Sequence, residues 1–192
     1  MKKIILASTS SYRKELLSKL HWPFEAMKPD VDEDIYKNES ISPAELSAKL
    51  SLLKADNVFG KNPDAIVIGS DQVCSFGNQI LSKPLNFERA LGQLAMLSGN
   101  KHQLLTSVTI KSQEKTLTWT NTTTLWMRKL NQEDITRYLN IDTPYDCAGS
   151  YKLEEMGIKL FEKIEMSDHT SIIGLPLIEI SNILINDFGL KF

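Results

Sequence analysis

Residues 102–127 read HQLLTSVTIKSQEKTLTWTNTTTLWM. The stretch is rich in Thr, Val, Ile and Trp and is broken once, near Ser112-Gln113-Glu114. β-Branched and aromatic residues suit a pleated, half-buried surface, so this spacing predicts two long antiparallel strands. On the N-terminal side, Ile4-Ile5-Leu6-Ala7 and Ala65-Ile66-Val67-Ile68 read as short buried strands. The second is expected to end at Gly69-Ser70-Asp71.

Helices are expected between and beyond these strands. Leu16, Leu17 and Leu20 give an apolar stripe after Ser8-Thr9-Ser10-Ser11, which suits a turn and an N-cap. Ser42-Pro43-Ala44-Glu45 is a capping box with proline at the first helical position, opening a helix to about Val58. Asn86 caps a helix running to about Leu97, closed by Ser98-Gly99-Asn100. Asn131-Gln132-Glu133-Asp134 opens another with acids in its first turn. The end is strand-like at Ile158–Phe161 and helical from Pro176 to about Asp187, with Gly189 as the stop. Strands and helices alternate at both ends around an antiparallel middle, which predicts an α/β protein with a mixed sheet flanked by helices. Val73, Leu125, Ile180 and Leu184 are expected in its core.

The 192 residues suit one domain, or two small lobes sharing a core, and no Pro/Gly/Ser-rich linker or repeat divides them. Hydrophobic residues make up 42% and charged residues 24%, the balance of a globular chain. A net charge of -2 and a pI near 6.0 argue against a nucleic-acid partner, so any anionic substrate must be met by locally placed Lys and Arg. Cys74 and Cys147 have no metal-ligand spacing; the sequence leaves a disulfide between them open, and two buried thiols in a reducing cytoplasm is the expected reading. The apolar run after Lys2-Lys3 is too short for a signal-peptide core and no stretch approaches a membrane span, so a cytoplasmic protein without a membrane partner is expected.

Three charged clusters lie where apolar runs end. Ser8-Thr9-Ser10-Ser11-Tyr12-Arg13 joins a strand to a helix, where open backbone N–H groups attract phosphate and Arg13 adds a bidentate donor. The same residues also suit a capped helix with a surface arginine. Asp30-Val31-Asp32-Glu33-Asp34 carries four carboxylates. Such a run is commonly a solvated loop, yet Mg²⁺ often takes only one or two carboxylates and shares the substrate's phosphates. Gly69-Ser70-Asp71-Gln72 places an acid after a buried strand, where α/β proteins often bind ligands; a turn hydrogen bond is the plainer reading. Lys54 and Lys83 read individually as surface residues. His21, His102 and His169 share no neighbourhood with a Ser or Cys nucleophile.

Taken together, these clusters resemble the Maf family of nucleotide pyrophosphatases. The matching segments occur in family order: Ile4–Ser10 with Arg13, Asp30–Glu33, Lys54-Ala55, Ile68–Val73, Lys83-Pro84, Cys147–Lys152 and Gly174-Leu175-Pro176. The resemblance implies a single domain over residues 1–192, elongated and two-lobed around a central cleft, related to inosine triphosphate pyrophosphatases. It implies hydrolysis of a nucleoside triphosphate to monophosphate and diphosphate with a divalent cation, Mg²⁺ or Mn²⁺. It assigns Asp71 as proton acceptor and metal ligand, Glu33 as a second metal ligand, and Ser8, Arg13, Lys54 and Lys83 as phosphate-binding residues.

Tyr12, Gln72 and Glu154 resemble the branch of the family that acts on 7-methyl-GTP, where the dTTP- and UTP-preferring branch has Arg, Thr and Gln. N7 methylation gives guanine a delocalised positive charge, which an aromatic face attracts and a carboxylate complements. Lys152-Leu153-Glu154-Glu155 leaves two acids at this place, and the motif's order favours Glu154. The expected role is house-cleaning of modified nucleotides. A dTTP/UTP or broader pyrophosphatase, and a nucleotide-binding regulator of cell division with little turnover, are the competing readings. A homodimer is the one protein partner the reading allows.

Overall fold

The computed structural model describes residues 2–37 and 41–192. The elements run β1 (Ile4–Ala7), α1 (Ser11–Ser18), β2 (Phe24–Met27), α2 (Asp34–Lys37), α3 (Pro43–Phe59), β3 (Ile66–Phe76), β4 (Gln79–Leu81), α4 (Phe87–Leu97), β5 (Lys101–Lys111), β6 (Thr116–Met127), α5 (Gln132–Asp142), β7 (Phe161–Glu165) and α6 (Leu177–Asn186). The seven strands form one mixed sheet in the order β2-β1-β3-β5-β6-β7, with β4 paired to β3. The fold is therefore the mixed-sheet α/β class expected from the sequence. No helix among the described residues is long and apolar enough to cross a membrane.

The chain divides into two compact units: residues 1–72, 106–121 and 168–192 in the first, and 73–105 and 122–167 in the second. In the first, β1 pairs in parallel with both β2 and β3. The two-residue period of a strand sends alternate side chains to opposite faces. Ile4, Leu6, Ile66, Ile68, Val108 and Ile110 pack with Leu16 and Leu17 of α1 and Ile180 and Leu184 of α6. Ile5, Ala7, Ala65 and Val67 face the other way, against Ala55 and Val58 of α3. The β1 and β3 runs are continuously apolar because both faces are covered.

Helix α3 starts where the capping box predicts. Ser42 Oγ accepts from Glu45 N and the Glu45 carboxylate accepts from Ser42 N. It is fastened to the sheet by two lines of hydroxyls. Ser47 Oγ lies 2.7 Å from Ser107 Oγ, which lies 2.7 Å from Thr120 Oγ1. Ser51 Oγ lies 2.9 Å from Thr109 Oγ1, itself 2.8 Å from Thr118 Oγ1. Residue 107 faces 120 and 109 faces 118, so one strand descends as the other climbs and the β5–β6 pair is antiparallel. Ser47 and Ser51 also donate to the Ala44 and Ala48 carbonyls of their own helix, so a slide of α3 along the strands would break the two helix-to-sheet contacts while leaving those bonds in place.

Helix α3 approaches the sheet closely at Gly69. A Cβ built there would stand 2.3 Å from the Ser51 carbonyl oxygen and 2.8 Å from Ala55 N, both backbone atoms. Only glycine admits the helix at this distance.

In the second unit, β3 turns into β4 as a hairpin and β7 pairs antiparallel with β6. Leu94 and Leu97 of α4, Ile135 and Leu139 of α5, and Leu125 are buried. His102, Tyr151 and Phe161 form a cluster of tilted and edge-on rings, with His102 Nε2 2.9 Å from Tyr151 Oη.

Three expectations need correction. The strand expected at Ile158–Phe161 begins only at Phe161, because residues 156–160 form a 3₁₀ turn whose Gly157 N donates to Asp142 Oδ2 at 3.0 Å. The strand expected to end at Gly69-Ser70-Asp71 continues to Phe76, since β4 takes over as partner from Cys74. Cys147 is half-buried rather than buried. Strand β2 has no clear signal in the sequence, because Phe-Glu-Ala-Met on a sheet edge is half-exposed and carries no clear alternation.

Gly69→Ala is expected to cost about 3 kcal/mol, the upper end for overpacking, measured by urea denaturation. Burial also pushes the His102 imidazole down from 6.5 to about 4. The unfolded chain then takes up a proton between those values that the folded protein excludes. This contribution to stability is complete above pH 6.5 and is lost as pH falls towards 4. The fall in unfolding free energy from pH 7 to 4.5 should be smaller in His102→Gln than in the wild type.

Candidate active site

The parity of β3 distributes the candidate residues. Ser70 and Gln72 share a face with Ile66 and Ile68, whereas Asp71 shares the α3 face with Val67 and Gly69. The parallel partner β1 ends opposite Gly69, so Asp71 lies beyond the last β1 pair although its own strand continues. Lys54 arrives one helical turn beyond Ser51, the residue that meets Gly69.

Lys54 Nζ donates to Asp71 Oδ1 at 2.6 Å and lies 2.7 Å from Glu33 Oε1. The Lys54 and Asp71 side chains are each 9% exposed, and that of Glu33 is 39% exposed. Of the four carboxylates at residues 30–34, Glu33 is the one that makes this contact. The run is anchored to α3 by Asn57, whose Oδ1 accepts from Asp30 N and whose Nδ2 donates to Asp30 O. It is therefore not simply a solvated loop.

On the other face, Ser8 is buried and its Oγ accepts from Ser10 N at 3.2 Å, while Ser10 caps α1 through Arg13 N. Arg13 Nε donates to the Gly174 carbonyl at 3.1 Å, and Ser70 Oγ donates to the same oxygen at 3.0 Å. Gly174 has a φ of +125°, and a Cβ there would lie 3.2 Å from Arg13 Nε. Burial lowers the Arg13 guanidinium from its ordinary value against the opposing pull of Asp71 and Glu33. An arginine held through Nε has its guanidinium plane set before any anion arrives.

The segment that supplies Gly174 is organised by residues the sequence reading did not single out. Asp168, 1% exposed, accepts from Thr170 N at 2.9 Å and Thr170 Oγ1 at 2.7 Å through Oδ1, and from Ile178 N at 2.7 Å through Oδ2. Thr170 Oγ1 accepts from Leu177 N at 2.8 Å. The first two amides of α6 are thus capped from a loop, while Pro176 contributes no side-chain cap. The polar run Ser167-Asp168-His169-Thr170 before an apolar helix was the available signal.

Gln72 Nε2 donates to Thr106 Oγ1 at 2.9 Å and to the carbonyls of Ser171 and Ile172 at 3.1 Å each. Thr106 Oγ1 itself donates to Ser171 O, so all three neighbours act as acceptors and the amide orientation is determined. Any ligand contact by Gln72 falls to its carbonyl oxygen. Tyr12 is half-buried in the first turn of α1. Lys83, Glu154 and Glu155 are exposed residues of the second unit. There, Lys152 N donates to Tyr138 Oη and Gly157 N to Asp142, fixing both ends of the segment that carries the two acids. Burial pushes both Cys74 and Cys147 up to about 12, so neither supplies a thiolate at neutral pH.

No group of three or more His, Cys, Asp or Glu that could hold a metal ion occurs among the described residues. Asp71 and Glu33 nevertheless converge on one point, and a cation, the Lys54 ammonium, already stands there. Two hard oxygen donors around a cation position fit a Mg²⁺-type ion that completes its shell from water and substrate phosphate.

Asp168→Ala is expected to cost about 3 kcal/mol, because it leaves buried donors unpaired and uncaps α6. The same substitution should weaken anion binding at Arg13, since Gly174 loses its support. Denaturation and inorganic triphosphate titration check the two effects.

The family model described as "Maf-like protein" matches residues 3–186. A protein of Bdellovibrio bacteriovorus named 7-methyl-GTP pyrophosphatase is 46% identical, over 96% of this chain and 97% of that one. A protein of Pseudomonas savastanoi pv. phaseolicola with the same name is 43% identical, over 97% of each chain. Among solved structures, the Ham1 protein of Staphylococcus aureus gives a TM-score of 0.49 at 14% identity, covering 94% of this chain and 98% of that one, a likeness too distant to carry a conclusion. A match over nearly the whole length, with relatives above 40% identity, is decisive: the chain belongs to the Maf-like protein family.

Proposed function

We propose that this protein hydrolyses the α–β phosphoanhydride bond of 7-methyl-GTP to 7-methyl-GMP and diphosphate, as house-cleaning of a modified nucleotide. The observation that carries the reading is the convergence of Asp71 and Glu33 on Lys54, in the same unit as an Arg13 held by Gly174. The names of the relatives support the substrate.

Asp71 accepts the proton of the attacking water, whose oxygen bonds to the α-phosphorus. The bond to the bridging oxygen breaks, and diphosphate leaves with the electron pair. Most of the acceleration comes from positioning and from stabilising charge on the leaving group, to which Arg13 and Lys54 contribute. On the family pattern Ser8 adds a hydroxyl to the phosphate-binding set. A bound Mg²⁺ or Mn²⁺, held by Asp71 and Glu33, supplies charge neutralisation at phosphate oxygens and a more acidic water. Tyr12 offers an aromatic face to the cationic base, and the Gln72 carbonyl oxygen offers an acceptor for a ring N–H. On the family pattern we extend the proposal to Lys83 as a phosphate-binding residue and Glu154 as a specificity residue. The cytoplasm is the proposed compartment, where two free thiols remain reduced.

The test is diphosphate release with Mg²⁺ from 7-methyl-GTP, GTP, dTTP, UTP and CTP, beside Asp71→Asn. We expect 7-methyl-GTP to lead, and Asp71→Asn to lower kcat by about 10³. A lead for dTTP or UTP would keep the reaction and reject the roles of Tyr12 and Glu154. No release from any nucleotide would favour a nucleotide-binding regulator.

A further inference from the structure

Lys54 stands where a metal belongs. Its Nζ is 2.6 Å from Asp71 Oδ1 and 2.7 Å from Glu33 Oε1, with 9% of its side chain exposed. Two cations cannot share a position this small, because like charges a few ångströms apart repel strongly away from bulk water. Yet bare carboxylates would be costly here too, since Asp71 is as buried as the lysine.

The backbone beneath Lys54 cannot yield. Gly69 admits Ser51 and Ala55 with no space to spare, and the Ser47 and Ser51 hydroxyls fix the helix against β5. Lys111 Nζ, 2.6 Å from Asp56 Oδ1, adds a third tie. What can move is the lysine's flexible four-carbon stem.

We propose that Lys54 is an internal counter-ion which a divalent metal must displace, so that metal binding at Asp71 and Glu33 is coupled to transfer of the ammonium onto the substrate's phosphates. This rests on the metal-dependent reading given above. In the nucleotide-free protein the ammonium neutralises the carboxylates and the ion binds weakly. A triphosphate gives the ammonium another anionic partner, so nucleotide raises metal affinity and metal raises nucleotide affinity by the same factor. The metal therefore enters with the nucleotide.

Calorimetric titration with Mn²⁺ alone, without nucleotide, tests this on the wild type, Lys54→Met, Lys54→Gln and the double variant Lys54→Met/Asp71→Asn. The two single variants should bind Mn²⁺ at least about tenfold more tightly than the wild type, within the usual range of coupling between sites. The gain should vanish in the double variant. Near-ultraviolet circular dichroism checks each fold. If the single variants fold only with Mn²⁺ present, and the double variant is not rescued, the displacement also stands. Equal Mn²⁺ affinity in the wild type and both single variants overturns it. So does a gain that survives Asp71→Asn, or a failure to fold even with Mn²⁺. If displacement fails while hydrolysis still requires Mg²⁺, the proposed function is untouched; hydrolysis that needs no divalent ion removes the metal from both.

Discussion

The contact between α3 and β3 at Gly69 is the constraint on which the first unit's site depends. Helix and strand backbones meet there with no side chain between them, closer than any residue with a Cβ permits. One turn along the helix and two residues along the strand, Lys54 and Asp71 are consequently within hydrogen-bond distance. A lysine stem could span a wider gap, but it would then sample many positions. The close approach turns a flexible cation into a placed one.

The surroundings of that contact are polar where a generic core would be apolar. Ser47, Ser51, Ser107 and Thr109 are all fully buried, yet each hydroxyl has a partner. Apolar packing is non-directional and tolerates small slides, whereas a paired hydroxyl does not. The apolar remainder of the interface, Ala55 and Val58 against Val67, supplies the burial. The hydroxyls supply the register. A similar division holds on the opposite face, where Leu175, Leu177 and Ile180 bury surface while Asp168 and Thr170 fix the loop that presents Gly174 to Arg13.

The sheet separates these two sets of functions by parity. Asp71 works on the α3 face, and Ser70 and Gln72 on the face of α1 and α6. The Arg13 guanidinium still feels the charges of Asp71 and Glu33. Three consecutive residues nonetheless make two sets of hydrogen bonds, Asp71 with an ammonium on one face and Ser70 and Gln72 with backbone carbonyls on the other. A slip of one position in the pairing of β3 with β1 would exchange them, which the covered faces of both strands forbid.

Much of the architecture was legible in the order of residues. The capping box at Ser42, the caps at Ser10, Asn86 and Asn131 and the β5–β6 pair are local patterns, decided by neighbours within a few positions. The ordered set of short motifs was also enough to indicate the family, because each motif is contiguous. Tertiary structure alone decided that Glu33, and not its acidic neighbours, reaches Lys54. It decided likewise that β3 runs on past Asp71, that Gln72 turns its nitrogen inward, and that Asp168 caps a helix ten residues away. The physical reason is that a cap or an alternation is written in adjacent residues. A salt bridge between positions 33, 54 and 71 depends instead on which backbones can approach, and here that was set by the missing Cβ of Gly69.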